Sequence, residues 1–160
     1  MKKNLLISVL VTFIITGLCA YAADYTRYSS KFIKNFRDCD SYQETTTSNF
    51  EGQNFSTTRK INGWRNGYCK YQETYSSGAE KYQLDCKFAD MQVEELYDAM
   101  KSRSKKIERA SVDVFSKVTD PKTGQVKYVK SDSTIVKGSK GYVAWTKYLN
   151  NPYFCEMKKL

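Results

Sequence analysis

Four cysteines that follow an N-terminal export signal are the feature that most restricts the fold of this chain. They are Cys39, Cys69, Cys86 and Cys155. An even number of cysteines in an exported chain predicts disulfides, here two, because the oxidising compartment lets such bridges form and persist. Zinc is the competing interpretation, and it is disfavoured because the chain contains no C-x-x-C pair and no histidine.

The export signal has three parts: the basic pair Lys2 and Lys3, an apolar run from Leu5 to Leu18, and the small-x-small motif Ala20-Tyr21-Ala22. We expect cleavage after Ala22. The sequence therefore predicts a signal peptide at 1–22 and a single exported, disulfide-bonded domain at 23–160, located in the periplasm or outside the cell.

Two other interpretations of the leader stay open. The apolar run is shorter than the roughly 20 residues of a membrane-spanning helix, but its extension through Ala23 keeps an uncleaved anchor possible. A lipid attached to Cys19 is less favoured, because Leu18 stands where lipoprotein signals have a small residue. Cleavage would remove two lysines and no acid, so the net charge would fall from +9 to +7. The mature chain would be basic.

The segment from Ser41 to Phe88 is rich in Thr, Tyr, Gln and Ser and predicts an antiparallel meander of four strands. Its turn candidates are Gly52, Asn66-Gly67 and Ser77-Gly78, and Asn-Gly is the strongest short hairpin signal. A turn at Asn66-Gly67 would place Trp64 opposite Cys69 and Lys60 opposite Glu73.

A two-residue loop at Ser77-Gly78 predicts the cysteine pairing. It places Cys69 opposite Cys86 and Lys70 opposite Asp85, so that one face would carry an opposite-charge pair and the other a cross-strand disulfide. We therefore expect a bridge between Cys69 and Cys86. The remaining pair, Cys39 and Cys155, would form the second bridge.

Helical periodicity appears on both sides of the meander. Phe32 and Phe36 indicate a short helix before it, and the spacing of apolar residues predicts a long amphipathic helix from about Asp90 to Arg109 after it. A hairpin turning at 120–124, a short helix at 142–149 and a terminal strand at 153–156 complete the prediction. The expected fold class is α+β: an antiparallel four-strand meander packed by one long amphipathic helix, with a C-terminal hairpin and two disulfides.

Catalytic signatures are missing from the sequence. Without histidine, Ser-His-Asp, Cys-His and histidine-zinc mechanisms are excluded. The neighbouring acids Asp38 with Asp40, and Glu94 with Glu95, point away from each other on regular elements, and the Gly138–Gly141 segment lacks the spacing of a phosphate-binding loop. We expect a non-enzymatic protein with no catalytic residues, no metal and no cofactor.

Basic and aromatic residues are the remaining functional signal. A basic cluster at the end of the predicted long helix is a candidate anion-binding patch, and lysines farther along the chain could extend it; its members are Lys101, Arg103, Lys105, Lys106 and Arg109. Such charge suits an anionic surface or an acidic protein partner. We expect an exported binding or envelope-associated domain, with two alternatives: a binder of polyanions such as nucleic acid or acidic polysaccharide, and an inhibitor-like or adhesion module that recognises another protein.

Overall fold

A computed structural model describes residues 28–50, 52–102, 104 and 106–160. The predicted signal peptide and its cleavage site lie outside these residues. The elements follow one another as α1 (Ser30–Asp38), β1 (Tyr42–Phe50), β2 (Gln53–Arg65), β3 (Tyr68–Ser77), β4 (Glu80–Phe88), α2 (Asp90–Lys101), β5 (Glu108–Thr119), β6 (Val126–Gly138), α3 (Lys140–Leu149) and β7 (Cys155–Lys159).

The fold is α+β, as the sequence predicts. Strands β1 to β4 form the expected meander, and β7 joins it beside β4, so the antiparallel sheet has the order β1-β2-β3-β4-β7. Strands β5 and β6 pair only with each other. The three helices cover the inner face of the larger sheet. No helix among the described residues combines the length and apolar character needed to span a membrane.

Helix α1 forms where the two phenylalanines predict it. The hydroxyl of Ser29 accepts the backbone N–H of Phe32 at 2.9 Å and caps the first turn. Phe32 and Phe36 are fully buried on one face of the helix. Cys39 then ends the helix in the left-handed conformation, with φ of 53°.

The hairpin between β2 and β3 confirms one predicted register and corrects another. Both loop residues have positive φ, 53° for Asn66 and 76° for Gly67, as type I′ turns require. Trp64 lies opposite Cys69, as expected. The predicted pairing of Lys60 with Glu73 is wrong, because a bulge between Ile61 and Gly63 shifts the register and places Arg59 opposite Glu73.

The hairpin between β3 and β4 corrects the predicted loop. Its two loop residues are Gly78 and Ala79, not Ser77 and Gly78, and Gly78 has a φ of 56° in the first loop position, which glycine occupies in type II′ turns. This register moves each partner by two residues and preserves the buried face. Cys69 consequently lies opposite Phe88, and Tyr71 opposite Cys86.

All four cysteines are in disulfides, but the predicted pairing is wrong. The bridges join Cys39 to Cys69 and Cys86 to Cys155. The first ties the end of α1 to β3. Cys69 is not opposite Cys86 in the observed register but opposite Phe88, so the predicted cross-strand bridge does not form. The second joins directly opposed residues of β4 and β7. Two disulfides indicate an oxidising compartment outside the cytoplasm.

Helix α2 is shorter than predicted. It ends at Lys101 rather than near Arg109, and Ser102 leaves the helix with ψ of 123°. The hydroxyls of Ser102 and Ser104 accept backbone N–H groups two residues further on, at 3.4 and 3.2 Å. Such local bonds compete with the helical ladder. Ile107, expected on the apolar face of this helix, is instead 65% exposed just before β5.

The core between helices and sheet is largely aromatic. The ring of Trp145 on α3 contacts four other rings, with centroids 5.2–5.8 Å apart: Tyr28, Phe36, Tyr71 and Phe88. Offset and edge-to-face pairs of this kind add to the stabilisation from burial. The predicted short helix at 142–149 is therefore confirmed as α3, and it supplies the central side chain of the core.

An ion pair is buried in the inner face of the sheet. Arg59 and Glu73 are 4% and 3% exposed, and Nε of Arg59 lies 3.2 Å from Oε1 of Glu73. Glu44 approaches the same guanidinium at 3.6 Å, and Tyr71 donates its hydroxyl to Glu73 at 3.0 Å. Burial and the charge of Glu73 raise the pKa of Tyr71 well above its ordinary value. The phenol is therefore kept as a donor.

Candidate anion-binding surface

The predicted basic cluster does not lie on one helix. Lys101 is the last residue of α2, Lys106 is exposed in the segment that follows, and Arg109 belongs to β5. Arg103 and Lys105 lie outside the described residues. The prediction that these five residues share the end of a long helix is wrong, because the helix ends eight residues earlier than predicted.

A long hairpin carries Arg109, the last residue of this cluster. Strands β5 and β6, which we call the arm, pair from Glu108 opposite Gly138 to Thr119 opposite Val126. The base of the arm is fixed by a small apolar cluster with α3, in which Val112, Val136, Tyr142 and Val143 are all buried. Toward the turn, the arm exposes most of its side chains. This arrangement holds an exposed ribbon on a rigid base.

The register of the arm brings two cations together. Arg109 lies directly opposite Lys137, and both side chains are exposed. Like charges directly across a ladder are destabilising, and neither side chain takes part in an ion pair with a described residue. Among the lysines later in the chain, Lys137 is placed beside a member of the basic cluster by the register of the arm.

Exposed isoleucines accompany the two cations. Side chains alternate between the faces of a strand, so Ile135 lies on the same face as Lys137, two residues away on β6. Ile135 is 69% exposed and Ile107, beside Lys106, is 65% exposed. We call these five residues, Lys106, Ile107, Arg109, Ile135 and Lys137, the arm patch.

The arm concentrates exposed apolar surface more than any other part of the described chain. Six of the twelve exposed large apolar side chains among the described residues lie between 107 and 138, and the other four besides the two isoleucines are Val114, Val118, Val126 and Val129. By alternation, Ile135 and Val126 lie on one face of the arm, and Val114, Val118 and Val129 lie on the other, so exposed apolar side chains occupy both faces of the ribbon. The arm is therefore the strongest candidate for an interaction surface.

Farther along the arm one lysine, Lys130, is neutralised by an ion pair. Lys130 Nζ lies 2.7 Å from Asp113 Oδ1 across the ladder, and Ser133 donates its hydroxyl to the same carboxylate. The hydrogen bond from Lys130, with its positive charge, lowers the pKa of Asp113. On this face the cations without an ion pair to a described residue are therefore Arg109 and Lys137 at the base and Lys117 farther along.

Aromatic contacts connect the arm to the body of the domain. The ring of Tyr153, in the connection between α3 and β7, lies 6.0 Å from that of Phe115 and 6.4 Å from that of Tyr128, both nearly edge-on. The predicted terminal strand begins only at Cys155, so Tyr153 is left to contact the arm. These contacts limit the movement of the arm relative to the sheet.

Glu95, one of the acids considered for catalysis, has a structural role. Lys147 donates to its carboxylate at 3.2 Å, and the hydroxyl of Tyr148 donates to its other oxygen. Burial alone would raise the pKa of Glu95, but these hydrogen bonds lower it. Glu95 thus links α2 to α3 although its side chain, like that of Glu94, is exposed.

Sequence reasoning missed the two isoleucines of the arm patch. Ile107 fits the helical period of α2 if the helix is extended through Ser102 and Ser104, and only the two serines signal that it stops. Ile135 was expected in the second hairpin, but its exposure depends on which face α3 covers. Once the register is known, Ser111 lies opposite Ile135 and Arg109 lies opposite Lys137. The polar partners then indicate that Ile135 lies on the exposed face.

Few indications of chemistry come from the rest of the described chain. It contains no group of three or more potential metal ligands. Two shallow clefts at the β1–β2 and β3–β4 loops are lined by described residues without titratable side chains, among them Asn54, Ser56, Ser76 and Gly78. No protein-family model, curated protein or solved structure matches this chain.

Proposed function

We propose that this protein is an exported, non-enzymatic binding domain that adheres to the anionic lipid surface of the cell envelope through the arm patch. The observation that carries the proposal is the position of Arg109 and Lys137, directly opposed and unpaired among the described residues, beside the exposed Ile135. Neither opposed like charges nor an exposed isoleucine stabilises the folded chain, so folding does not explain why they lie side by side. An anionic, partly apolar surface would stabilise both.

The two kinds of side chain would contribute in different ways. A lysine or arginine near an anionic membrane surface contributes on the order of 1 kcal/mol, and this contribution falls with salt. An isoleucine side chain that enters the interface contributes up to about 1.5–3 kcal/mol on complete burial, with little dependence on salt. The arm patch combines both, which distinguishes it from a purely electrostatic site.

The net charge of the chain supports the same partner. The chain carries a formal charge of +9, and it would still carry +7 after the expected cleavage. Long-range attraction would therefore bring it to an anionic surface, and the arm patch would orient it there.

A second candidate partner is an acidic protein. Each strand of the arm has one edge without a strand partner, since β5 and β6 form a sheet of two. An extended segment of another protein can add to such an edge through main-chain hydrogen bonds. This candidate requires no lipid and is separated from the first by the same experiment.

Binding to vesicles tests the proposal. We expect the protein to sediment with phosphatidylglycerol vesicles and not with phosphatidylcholine vesicles. The double variant Arg109→Gln, Lys137→Gln should bind about 30-fold more weakly, which corresponds to about 2 kcal/mol for two surface charges. Ile135→Ser should weaken binding severalfold at every salt concentration, because it removes apolar contact rather than charge.

Two matched controls separate the arm patch from general basicity. Lys34→Gln removes one exposed positive charge on α1, and Met91→Ser removes a 70% exposed apolar side chain on α2. Both should bind vesicles like the unchanged protein. Equal losses from the arm variants and the controls would contradict the proposal, and so would capture of one acidic protein without any affinity for vesicles.

A further inference from the structure

A second cluster of cations without an ion pair to a described residue surrounds Tyr68 on the outer face of the larger sheet. Nζ of Lys70 lies 5.7 Å from the centroid of the Tyr68 ring and Nζ of Lys87 lies 5.8 Å from it. Arg65 is the cross-strand neighbour of Tyr68, and Lys70 lies directly opposite Lys87. Three cations therefore gather around one half-exposed ring.

The observed register of β3 and β4 creates this cluster. With the loop expected from the sequence, Lys70 would face Asp85 and form an opposite-charge pair. The loop at Gly78 and Ala79 instead places Lys70 against Lys87, while Asp85 receives hydrogen bonds from Gln72 and Lys158 on its other sides. The nearest acid of the outer face is thus already engaged.

None of the ion pairs among the described residues includes Arg65, Lys70 or Lys87. Opposed like charges on neighbouring strands are destabilising, and the face of the tyrosine ring offsets part of that repulsion by cation–π attraction. A bound anion would neutralise the remainder. Arg65 and Lys87 are exposed and Lys70 is partly exposed, so an anion can reach all three.

We propose that Arg65, Tyr68, Lys70 and Lys87 form a binding site for a tetrahedral oxyanion, the phosphate or sulfate group of a larger ligand. Two ammonium groups and one guanidinium offer donors to several oxygens at once, and guanidinium can bind two oxygens of one group. The Tyr68 ring, 41% exposed, provides a surface against which the carrier of that group can pack. The site is built from β2, β3 and β4 and shares no residue with the arm patch.

Titration with inorganic phosphate, followed by amide chemical shifts at constant ionic strength, tests the site. We expect shifts concentrated at Arg65, Tyr68, Lys70 and Lys87. Lys87→Gln should weaken phosphate binding at least fivefold. Lys81→Gln, which removes an exposed lysine six residues away on the same face of β4, should change it less than twofold.

Two further probes identify the source of the group. If glycerol 3-phosphate binds like inorganic phosphate and Lys87→Gln leaves binding to phosphatidylglycerol vesicles unchanged, the ligand is a dissolved phosphate ester. If vesicle binding also falls in Lys87→Gln, the group belongs to a lipid headgroup. Both results support the site.

Phosphate shifts that are absent, spread over the whole protein, or equally reduced by Lys87→Gln and Lys81→Gln would overturn the proposal. Failure of this site is distinguishable from failure of the arm patch. Ile135→Ser should leave phosphate binding intact, whereas Lys87→Gln should weaken it at least fivefold without altering the exposed isoleucines.

Discussion

The buried ion pair between Arg59 and Glu73 allows a prediction about the free energy of unfolding. Its size depends on the burial of the pair rather than on the distance between the charged atoms. The substitution Glu73→Gln preserves the shape of the side chain and leaves an oxygen that can accept the hydroxyl of Tyr71. It removes the charge opposite Arg59, whose side chain is 5% exposed. Glu44 remains at 3.6 Å from the guanidinium and compensates in part.

Breaking a buried pair by removing one partner costs about 3–5 kcal/mol, and the remaining Glu44 places our expectation near the lower end, about 3 kcal/mol. Domains of this size unfold with about 5–15 kcal/mol, so this loss is a large fraction of the total. With a urea m-value of about 1–3 kcal/mol/M, the midpoint should fall by about 1–3 M.

Urea unfolding followed by tyrosine and tryptophan fluorescence measures this shift. The control is Asp113→Asn, which breaks the shorter contact of 2.7 Å to Lys130 on the exposed arm and should not move the midpoint beyond error. The effect of Glu73→Gln should also persist in 1 M NaCl, since a buried pair is poorly screened. Equal midpoints for Glu73→Gln and Asp113→Asn would refute the reasoning.

Three further predictions concern the disulfides, pH and the β3–β4 loop. Replacing Cys39 and Cys69 with serine should lower the free energy of unfolding by about 3.5 kcal/mol, because the bridge closes a loop across 30 residues. Replacing Cys86 and Cys155 should lower it by about 4.5 kcal/mol, because that loop spans 69 residues. Urea unfolding measures both losses. Because hydrogen bonds lower the folded-state pKa of Glu95 below its ordinary 4.5, the stabilisation from its carboxylate is present above pH 4.5 and is lost as the pH falls through the folded-state pKa. Glu95→Gln should therefore be less stable than the unchanged protein at pH 7, and this difference in stability should shrink as the pH falls below 4.5. Gly78→Ala should lower the free energy of unfolding by about 1–2 kcal/mol because residue 78 has a positive φ. Ala79→Gly should lower it less, and thermal melts of both variants measure the difference.

Much of the fold could be predicted because local patterns and tertiary packing agree there. Phe32 and Phe36 predict α1, and Asn66-Gly67 fixes a hairpin whose two residues both need positive φ. The same reasoning failed at Ser77-Gly78-Ala79, where one glycine fits two loops that are offset by one residue and give strand registers that differ by two. Both registers bury the same face, so the hydrophobic pattern could not choose between them, and the cysteine pairing followed the wrong loop.

The candidate sites depend on that choice of register, so they were harder to predict from the sequence than the fold. Lys70 faces an acid in the predicted register and Lys87 in the observed one, so the observed register places two like charges together where the predicted one has an opposite-charge pair. Likewise, the bulge at Ile61 and Gly63 places Arg59 rather than Lys60 opposite Glu73. Charge and composition predict that the protein is basic, but only strand pairing determines where its cations meet.

Hydrogen exchange in the presence of vesicles tests the central claim, that the arm is the surface which meets the envelope. The protein would be compared with and without phosphatidylglycerol vesicles, and peptides across the whole chain would be followed. We predict slower exchange between residues 107 and 138, strongest around Ile107 and Ile135. Unchanged exchange in this segment while the protein is bound, or protection confined to the β1–β4 sheet, would contradict the account.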